Sequence, residues 1–325
     1  MLMNNPLVSV IIPVYNSAST LKECLLSVVQ QDYSLLEIVV VNDCSTDGSQ
    51  QIIDTFAARD SRFVCCVKAK NEGLVRARQT GIENAHGKYV QYLDSDDTLC
   101  EGIIRLLVNK AEQTQADMVV APFYFIEGGK KSPSLFFDFE ELSGLDYLRG
   151  LMTWKGHFCV WSKFHLRSLY NYEIDRPDIS LGEDVILSCQ LLYHSKKVVC
   201  LHEEVVNYRI SPTSMSHPCN MDEKKYKDFK GYSAWVEHFM VQNGLTKEFI
   251  SELDYFRVKM MQMYLGFRKL EDVEISIMHT LPILKKAPKL WKILNRRERK
   301  VLRYYKIAPC LGLWRLKSYY KSNKL

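Results

Sequence analysis

The chain has 325 residues, 47% hydrophobic and 25% charged, the range of a globular protein, which excludes a disordered or collagen-like chain. The length suggests about two domains and is enough to bury a core without a disulfide or metal staple. Net charge is +5, but residues 285–325 hold fourteen Lys and Arg against one acid, Glu298, a net +13 that leaves −8 for the first 284 residues.

Met1 to Leu7 lacks the basic start of a secretion signal and leads straight into Val8–Val14, a β-branched run expected as a strand buried on both faces. Ser17–Gln31 follows with helical spacing, and Glu37–Val41 is a second buried strand. Ser45-Thr46-Asp47 caps an expected helix carrying Ile52, Ile53 and Phe56. Phe63–Val67 and Tyr89–Leu93 are the next strands, with a helix over Val75–Ala85 between them. Glu101–Gln115 reads as a helix and Met118–Ile126 as a fifth strand, about half a membrane span in length. Strict alternation predicts an α/β fold, a mostly parallel sheet with helices on both faces. Glu127–Ser134 is polar and expected as a mobile loop; Leu187–His194 looks helical, and Val198–Leu201 and Val205–Tyr208 look like short strands. From about Asp222 the pattern is helical. We therefore expect a catalytic domain over 1–220 and a helical region over 221–325. The ten Cys form no C-x-x-C pair and read as reduced, mostly buried thiols of a cytoplasmic protein.

Open parallel sheets bind ligands beyond the carboxyl ends of their strands. Here those ends deliver Pro13-Val14-Tyr15-Asn16, Asn42-Asp43, Asn71-Glu72-Gly73 and Asp94-Ser95-Asp96-Asp97 to one edge. Three carboxylates in four residues suit a hard divalent ion, Mg²⁺ or Mn²⁺; a solvated acidic turn capping the helix near Glu101 is the alternative, which the position after a buried strand disfavours. Asp43 is placed to accept a hydrogen bond from a ligand such as uracil N3–H. Arg76 or Arg78 can hold a diphosphate bidentately. Neither a dinucleotide G-x-G-x-x-G after the first strand nor a P-loop is present, so metal and Arg must neutralise any phosphates. Glu183 and Asp184 open a helical stretch, either as ordinary acids at a helix N-terminus or as a general base facing the metal site.

Ser9–Asn16, Glu37–Gly48, Asn71-Glu-Gly, Ala77-Arg78 and Tyr92–Asp97 together resemble the family 2 glycosyltransferases, closely over residues 6–126. Val160-Trp-Ser-Lys163, Gly182-Glu-Asp184 and Tyr208-Arg209 with Ser211–Ser216 extend the resemblance toward the bacterial capsule, exopolysaccharide and teichoic acid branch. The resemblance implies a GT-A fold and an inverting transfer of one sugar from a nucleotide sugar, usually a UDP-sugar, to a glycan or lipid-linked oligosaccharide. By position it implies Pro13, Tyr15 and Asn16 around the uridine, Asp43 on uracil, and Arg78 near uracil or diphosphate. Asn71 and Ser95 belong to the same matched segments. It implies Asp94 and Asp96 as the D-x-D metal motif with Asp97 a rival ligand, Asp184 as base with Glu183 the alternative, and Arg209, Ser214 and His217 in a segment over the diphosphate, with His217 a possible touch on the metal. Asn42 and Gln79 depart from the common Asp and Asn without removing a needed group. The Q-x-x-R-W signature of processive synthases is absent.

The basic segment mixes its charges with Leu290, Trp291, Leu294, Leu302, Tyr305, Leu313 and Trp314, a composition expected at an anionic membrane surface and hence at the inner face of the cell membrane. Packing of that apolar side on the catalytic domain is the alternative, and no nucleic-acid motif supports a third. The rival activities are a catalytically inactive nucleotide-sugar-binding module and a nucleotidyltransferase, whose Gly-rich basic loop is missing.

Overall fold

In the computed structural model, which describes residues 5–210, 222–267 and 270–322, the β-branched run Val8–Val14 forms β1, buried along its whole length. Then come α1 (Leu21–Val29), β2 (Leu36–Asn42), α2 (Ser49–Ala57), β3 (Phe63–Val67), α3 (Leu74–Glu83) and β4 (Tyr89–Tyr92). β1 pairs parallel with β2 and with β4, and β2 with β3, so the carboxyl ends of all four strands share one edge.

The chain continues through β5 (Thr98–Leu99), α4 (Ile103–Thr114), β6 (Met118–Val120), β7 (Tyr124–Glu127), β8 (Lys130–Pro133), β9 (Glu141–Leu142), α5 (Gly144–Met152), β10 (Lys163–Leu166), α6 (Glu183–His194), β11 (Val198–Cys200) and β12 (Val206–Arg209). An eight-stranded sheet has the order β3-β2-β1-β4-β10-β6-β11-β9, and a four-stranded sheet the order β5-β12-β7-β8. β10 runs antiparallel between β4 and β6. The large sheet is therefore mixed, with a parallel half around β1.

Two expectations are corrected here. Met118–Ile126 is two strands in different sheets, because Pro122 has no N–H for a ladder and the chain turns out of the large sheet at Ala121-Pro122-Phe123. The expected loop Glu127–Ser134 is largely the β7–β8 hairpin, with Glu127 opposite Lys130. Its two turn residues, Gly128 and Gly129, have φ of 54° and 79°, the positive pair that a two-residue hairpin turn demands.

The chain divides into two compact units, 1–232 and 233–325. The expected boundary at 220 lies outside the described residues. α7 (Glu223–Gln242) crosses the division. The second unit continues with α8 (Ile250–Phe267), α9 (Leu270–Lys286), α10 (Arg296–Ile307) and α11 (Pro309–Ser322). Its core includes Val258, Met261, Val273, Ile277, Leu302, Tyr305 and Leu316. No helix among the described residues is long and apolar enough to cross a membrane. The nine described cysteines are free; only Cys24, Cys189 and Cys200 are buried, while Cys65 and Cys310 are exposed, contrary to the reading of mostly buried thiols.

Candidate active site at the carboxyl ends of the strands

The site is organised around one buried guanidinium. Arg78, on the sheet-facing side of α3, has a 5% exposed side chain. Its Nη1 donates to Asp184 Oδ1 at 2.8 Å and to Glu183 Oε1 at 3.2 Å, and its Nη2 to Asp94 Oδ1 at 3.0 Å. The Tyr92 ring lies 5.7 Å from the guanidinium carbon. Three carboxylates thus share one cation. Burial works against the charge on Arg78, but Asp184, Asp94 and Glu183 more than offset it and hold the pKa well above its ordinary value. Burial pushes Glu183 and Asp184 up; Asp184 adds to the rise at Glu183, while Arg78 restrains both. Arg78 Nε is buried with no partner.

α6 begins abruptly so that Glu183 and Asp184 occupy its first turn. Gly182 stands at φ 93°, and a Cβ there would come within 2.3 Å of the Tyr232 ring. Asp228 Oδ2, from the first turns of α7, accepts the N–H groups of Ser180 and Leu181 at 2.8 and 3.2 Å. Neither Asp228 nor Tyr232 was singled out from sequence, because nothing in the local pattern links α7 to a loop some 45 residues earlier.

Asp94, Ser95, Asp96 and Asp97 follow β4 directly. Burial, then Asp94, raises the Asp96 carboxyl; burial, Asp96 and Asp94 push Asp97 up to about 9. Asp97 Oδ1 accepts the Arg209 N–H of β12 at 2.7 Å, and its Oδ2 is buried without a partner. Ser95 Oγ lies 2.7 Å from Ser17 Oγ, and its carbonyl accepts the Thr20 hydroxyl, so the aspartate loop is tied to the start of α1. Among the described residues these aspartates do not bring three ligand atoms within 4.8 Å of one another; Asp138, Cys200 and His202 do, near the far edge of the sheet beside β9 and β11. An oxygen-only set with one unmet carboxylate oxygen fits Mg²⁺ or Mn²⁺, which take one or two carboxylates and complete their shell with waters and phosphate oxygens.

The other predicted residues line the same edge. Asp43 is buried, and its carboxylate accepts Glu72 N–H at 3.0 and 3.2 Å and Gly73 N–H at 2.7 Å, with Lys68 Nζ at 3.6 Å. Asn71 Oδ1 also accepts from Gly73 N–H, at 3.0 Å. Asn16, at φ 49°, accepts the Thr46 N–H at 2.8 Å, while its own N–H donates to Ser45 Oγ at 3.0 Å. Pro13 is buried within β1, and Tyr15 is exposed beside Asn16. Arg209 Nη2 reaches Glu23 of α1 at 2.6 Å rather than an aspartate side chain. Arg76 bonds Gln79 on its own helix and stays outside the carboxylate cluster. Ser214 and His217 lie outside the described residues.

Lys163 is the residue that sequence reading passed over as a motif member without a role. It is fully buried, and its Nζ donates to the carbonyls of His157 and Cys159 at 2.9 and 2.7 Å. Its own carbonyl accepts from His165 Nδ1–H at 2.8 Å, and Tyr170 and Tyr92 continue the chain of bonds from His165 Nε2. Burial pushes the Lys163 amine down to about 8 and the His165 imidazole down to about 4. Lys163→Met takes the donor from the His157 carbonyl, while Cys159 O keeps the Ser162 hydroxyl at 2.8 Å, and is expected to lower unfolding free energy by about 2 kcal/mol in a urea titration. The unfolded chain holds the lysine proton more tightly, so Lys163 makes stability rise as pH climbs from about 8 toward the ordinary lysine value of 10.5, and the variant loses that rise.

Residues 9–171 match the profile of Glycosyl transferase family 2. The glycosyltransferase GlyA of Streptococcus pneumoniae is 34% identical over 223 residues, 64% of this chain but 31% of GlyA, so the chain spans under a third of that relative. The uncharacterized glycosyltransferase EpsJ of Bacillus subtilis is 30% identical over 254 residues, 75% of this chain and 73% of its own. Among solved structures, residues 1–349 of S. aureus TarS in complex with UDP-GlcNAc superpose with a TM-score of 0.68 at 19% identity, covering 97% of this chain and 92% of that one.

Proposed function

The chain belongs to glycosyl transferase family 2, and from that premise we propose that it moves one sugar, with inversion, from a UDP-sugar to a hydroxyl of a glycan or lipid-linked acceptor in cell-surface polysaccharide synthesis. The observation that carries this reading is the meeting of Asp94, from the end of β4, with Glu183 and Asp184, from the start of α6, on the single guanidinium of Arg78. It joins a diphosphate-side carboxylate to a candidate base across one buried cation. A protein of the same fold that is solved with UDP-GlcNAc supports the choice of donor. Family membership removes the nucleotidyltransferase alternative.

In this reading Asp184 takes the proton of the acceptor hydroxyl as that oxygen attacks the anomeric carbon from the face opposite the diphosphate. Arg78 fixes Asp184 Oδ1, and the side chain remains 22% exposed, so the carboxylate is oriented yet open to an acceptor. Asp43 and Tyr15, with Pro13 and Asn16, receive the uridine at the ends of β1 and β2. Asp96, with Asp94, would hold Mn²⁺ or Mg²⁺, which neutralises charge on the leaving diphosphate when bound. Asp97 braces β12 through the Arg209 N–H, and its unpartnered Oδ2 makes it the rival ligand for the ion. The enzyme works peripherally at the inner face of the membrane, where lipid-linked acceptors lie.

Thermal unfolding with UDP, GDP and CDP, each with and without Mn²⁺, tests this reading. Ligand at about 100 times its dissociation constant adds about 2.7 kcal/mol. A shift with UDP that requires Mn²⁺ and disappears in Asp96→Ala is the expected result. Silence toward every nucleotide would overturn the donor assignment and leave an inactive module.

A further inference from the structure

The basic segment has sorted its apolar residues into two sets. Leu290, Leu294, Leu302 and Tyr305 are buried in the core of the second unit, together with Val301 and Leu316, so these side chains are not available to a lipid surface. On α10 the buried positions Glu298, Val301, Leu302 and Tyr305 define one face. The opposite face exposes Arg296, Lys300, Arg303 and Ile307, a line of cations that ends on an apolar residue. There the chain turns into α11, and the corner is apolar and uncovered: Ile307 is 74% exposed, Leu311 42% and Trp314 61%, with Lys306 and Lys317 exposed beside them. The one acid of residues 285–325, Glu298, is withdrawn from the surface, capping α10 at Asn295 N–H and accepting from Gln262. The exposed charged side chains that residues 296–317 bring to this corner are therefore all positive.

We propose that the α10–α11 corner is the element that seats the protein on an anionic lipid surface, with Ile307, Leu311 and Trp314 entering the interface and Arg296, Lys300, Arg303, Lys306 and Lys317 meeting the headgroups. The inference rests on the peripheral placement proposed above and specifies how it is achieved. Apolar insertion and Coulomb attraction are two separate signals, and stable attachment without a membrane span takes two. An indole at the polar boundary suits the headgroup level. The charge complement selects a lipid rather than a neutral protein groove: exposed Arg296, Lys300 and Arg303 lead along α10 to the apolar corner, and exposed Lys306 and Lys317 lie beside it in sequence.

The test is flotation of the full chain on vesicles of phosphatidylcholine alone and of phosphatidylcholine with phosphatidylglycerol, at low and high salt. It compares the natural protein with a triple variant, Ile307→Asp, Leu311→Asp and Trp314→Asp, and with Arg296→Glu, Lys300→Glu and Arg303→Glu. All six positions are exposed, so both variants keep the fold, and UDP-induced thermal shifts verify this. The natural chain is expected to float with the anionic vesicles only and to be released by salt; each variant should lose about tenfold or more in partitioning. Equal flotation of the natural chain and both variants overturns the corner while leaving peripheral placement intact. No flotation of the natural chain overturns the peripheral placement itself. A dimer in solution that the apolar variant dissociates, without vesicle binding, assigns the corner to a second copy of the chain and also overturns the proposal.

Discussion

Asp184→Asn is expected to lower the rate of sugar transfer by about a thousandfold while leaving the apparent affinity for UDP almost unchanged. Asparagine keeps the shape of the side chain, and its amide oxygen can still accept from Arg78 Nη1, which bonds Asp184 Oδ1 at 2.8 Å. What is lost is the ability to take a proton, and general base catalysis is commonly worth about 10²–10⁴-fold. The loss should fall on kcat, since the proposed base would act on the acceptor and not on the nucleotide. Glu183→Gln is the internal control. Glu183 sits in the same turn, bonds the same guanidinium at 3.2 Å and is the more strongly protected against ionisation, by burial first and Asp184 second. Its side chain is 15% exposed against 22% for Asp184, so it is less open to an acceptor and its substitution should cost far less. Initial rates of UDP release for both variants decide the matter; an active Asp184→Asn beside a dead Glu183→Gln would exchange the two roles.

Arg78→Met is expected to destabilise the first unit by about 3–5 kcal/mol at neutral pH, the range found when one partner of a buried ion cluster is removed. Methionine preserves much of the packing against Tyr92 but leaves Asp94, Glu183 and Asp184 repelling one another without their shared cation. The deficit has a defined pH dependence. Arg78 holds down the pKa of Glu183 and Asp184, so its loss lets burial raise them further. The native state then binds protons that the unfolded chain releases from about pH 4 upward, and stability falls as pH rises through that window. The variant should therefore come nearest the natural protein at mildly acidic pH and fall away from it toward pH 8. Urea midpoints at pH 5, 6, 7 and 8 measure this; a pH-independent deficit would place the effect in lost packing instead.

The parallel half of the fold was legible because burial on both faces leaves a simple signature. Val8–Val14 and the EIVVV run of β2 have almost no polar residue to confuse the reading, and their carboxyl ends named the site edge. The second half resisted for equally physical reasons. β10 is KFHL, a strand whose Lys and His are fully buried, against the usual preference of both residues. Its Lys163 is satisfied by the carbonyls of His157 and Cys159, six and four residues earlier. The turn at Pro122 was visible in the sequence, but its consequence, a change of sheet, was not. At the site, Arg78, Asp94, Glu183 and Asp184 were each named, yet the sequence offered Arg78 to a ligand alone. That it already binds all three acids depends on the α3–α6 approach, which spans about a hundred residues of chain.

The antiparallel strand β10 sets the order in which the protein can be assembled. Among the described residues it is the strand that links β4 to β6 in the large sheet, and it is formed by residues 163–166, about 75 positions after its partner on β4. A nascent chain that has emerged only as far as α5 holds β1–β4 with a bare edge beside Tyr89–Tyr92 and β6 with no neighbour on either side. Such edges invite pairing with other chains. Closure of the sheet must wait for synthesis through Leu166, and α6, which carries Asp184, follows only after that strand is in place. The aspartate loop on β4 is thus made early and the carboxylates of α6 late, so the proposed site is completed only by contacts 105 and 106 residues apart in sequence.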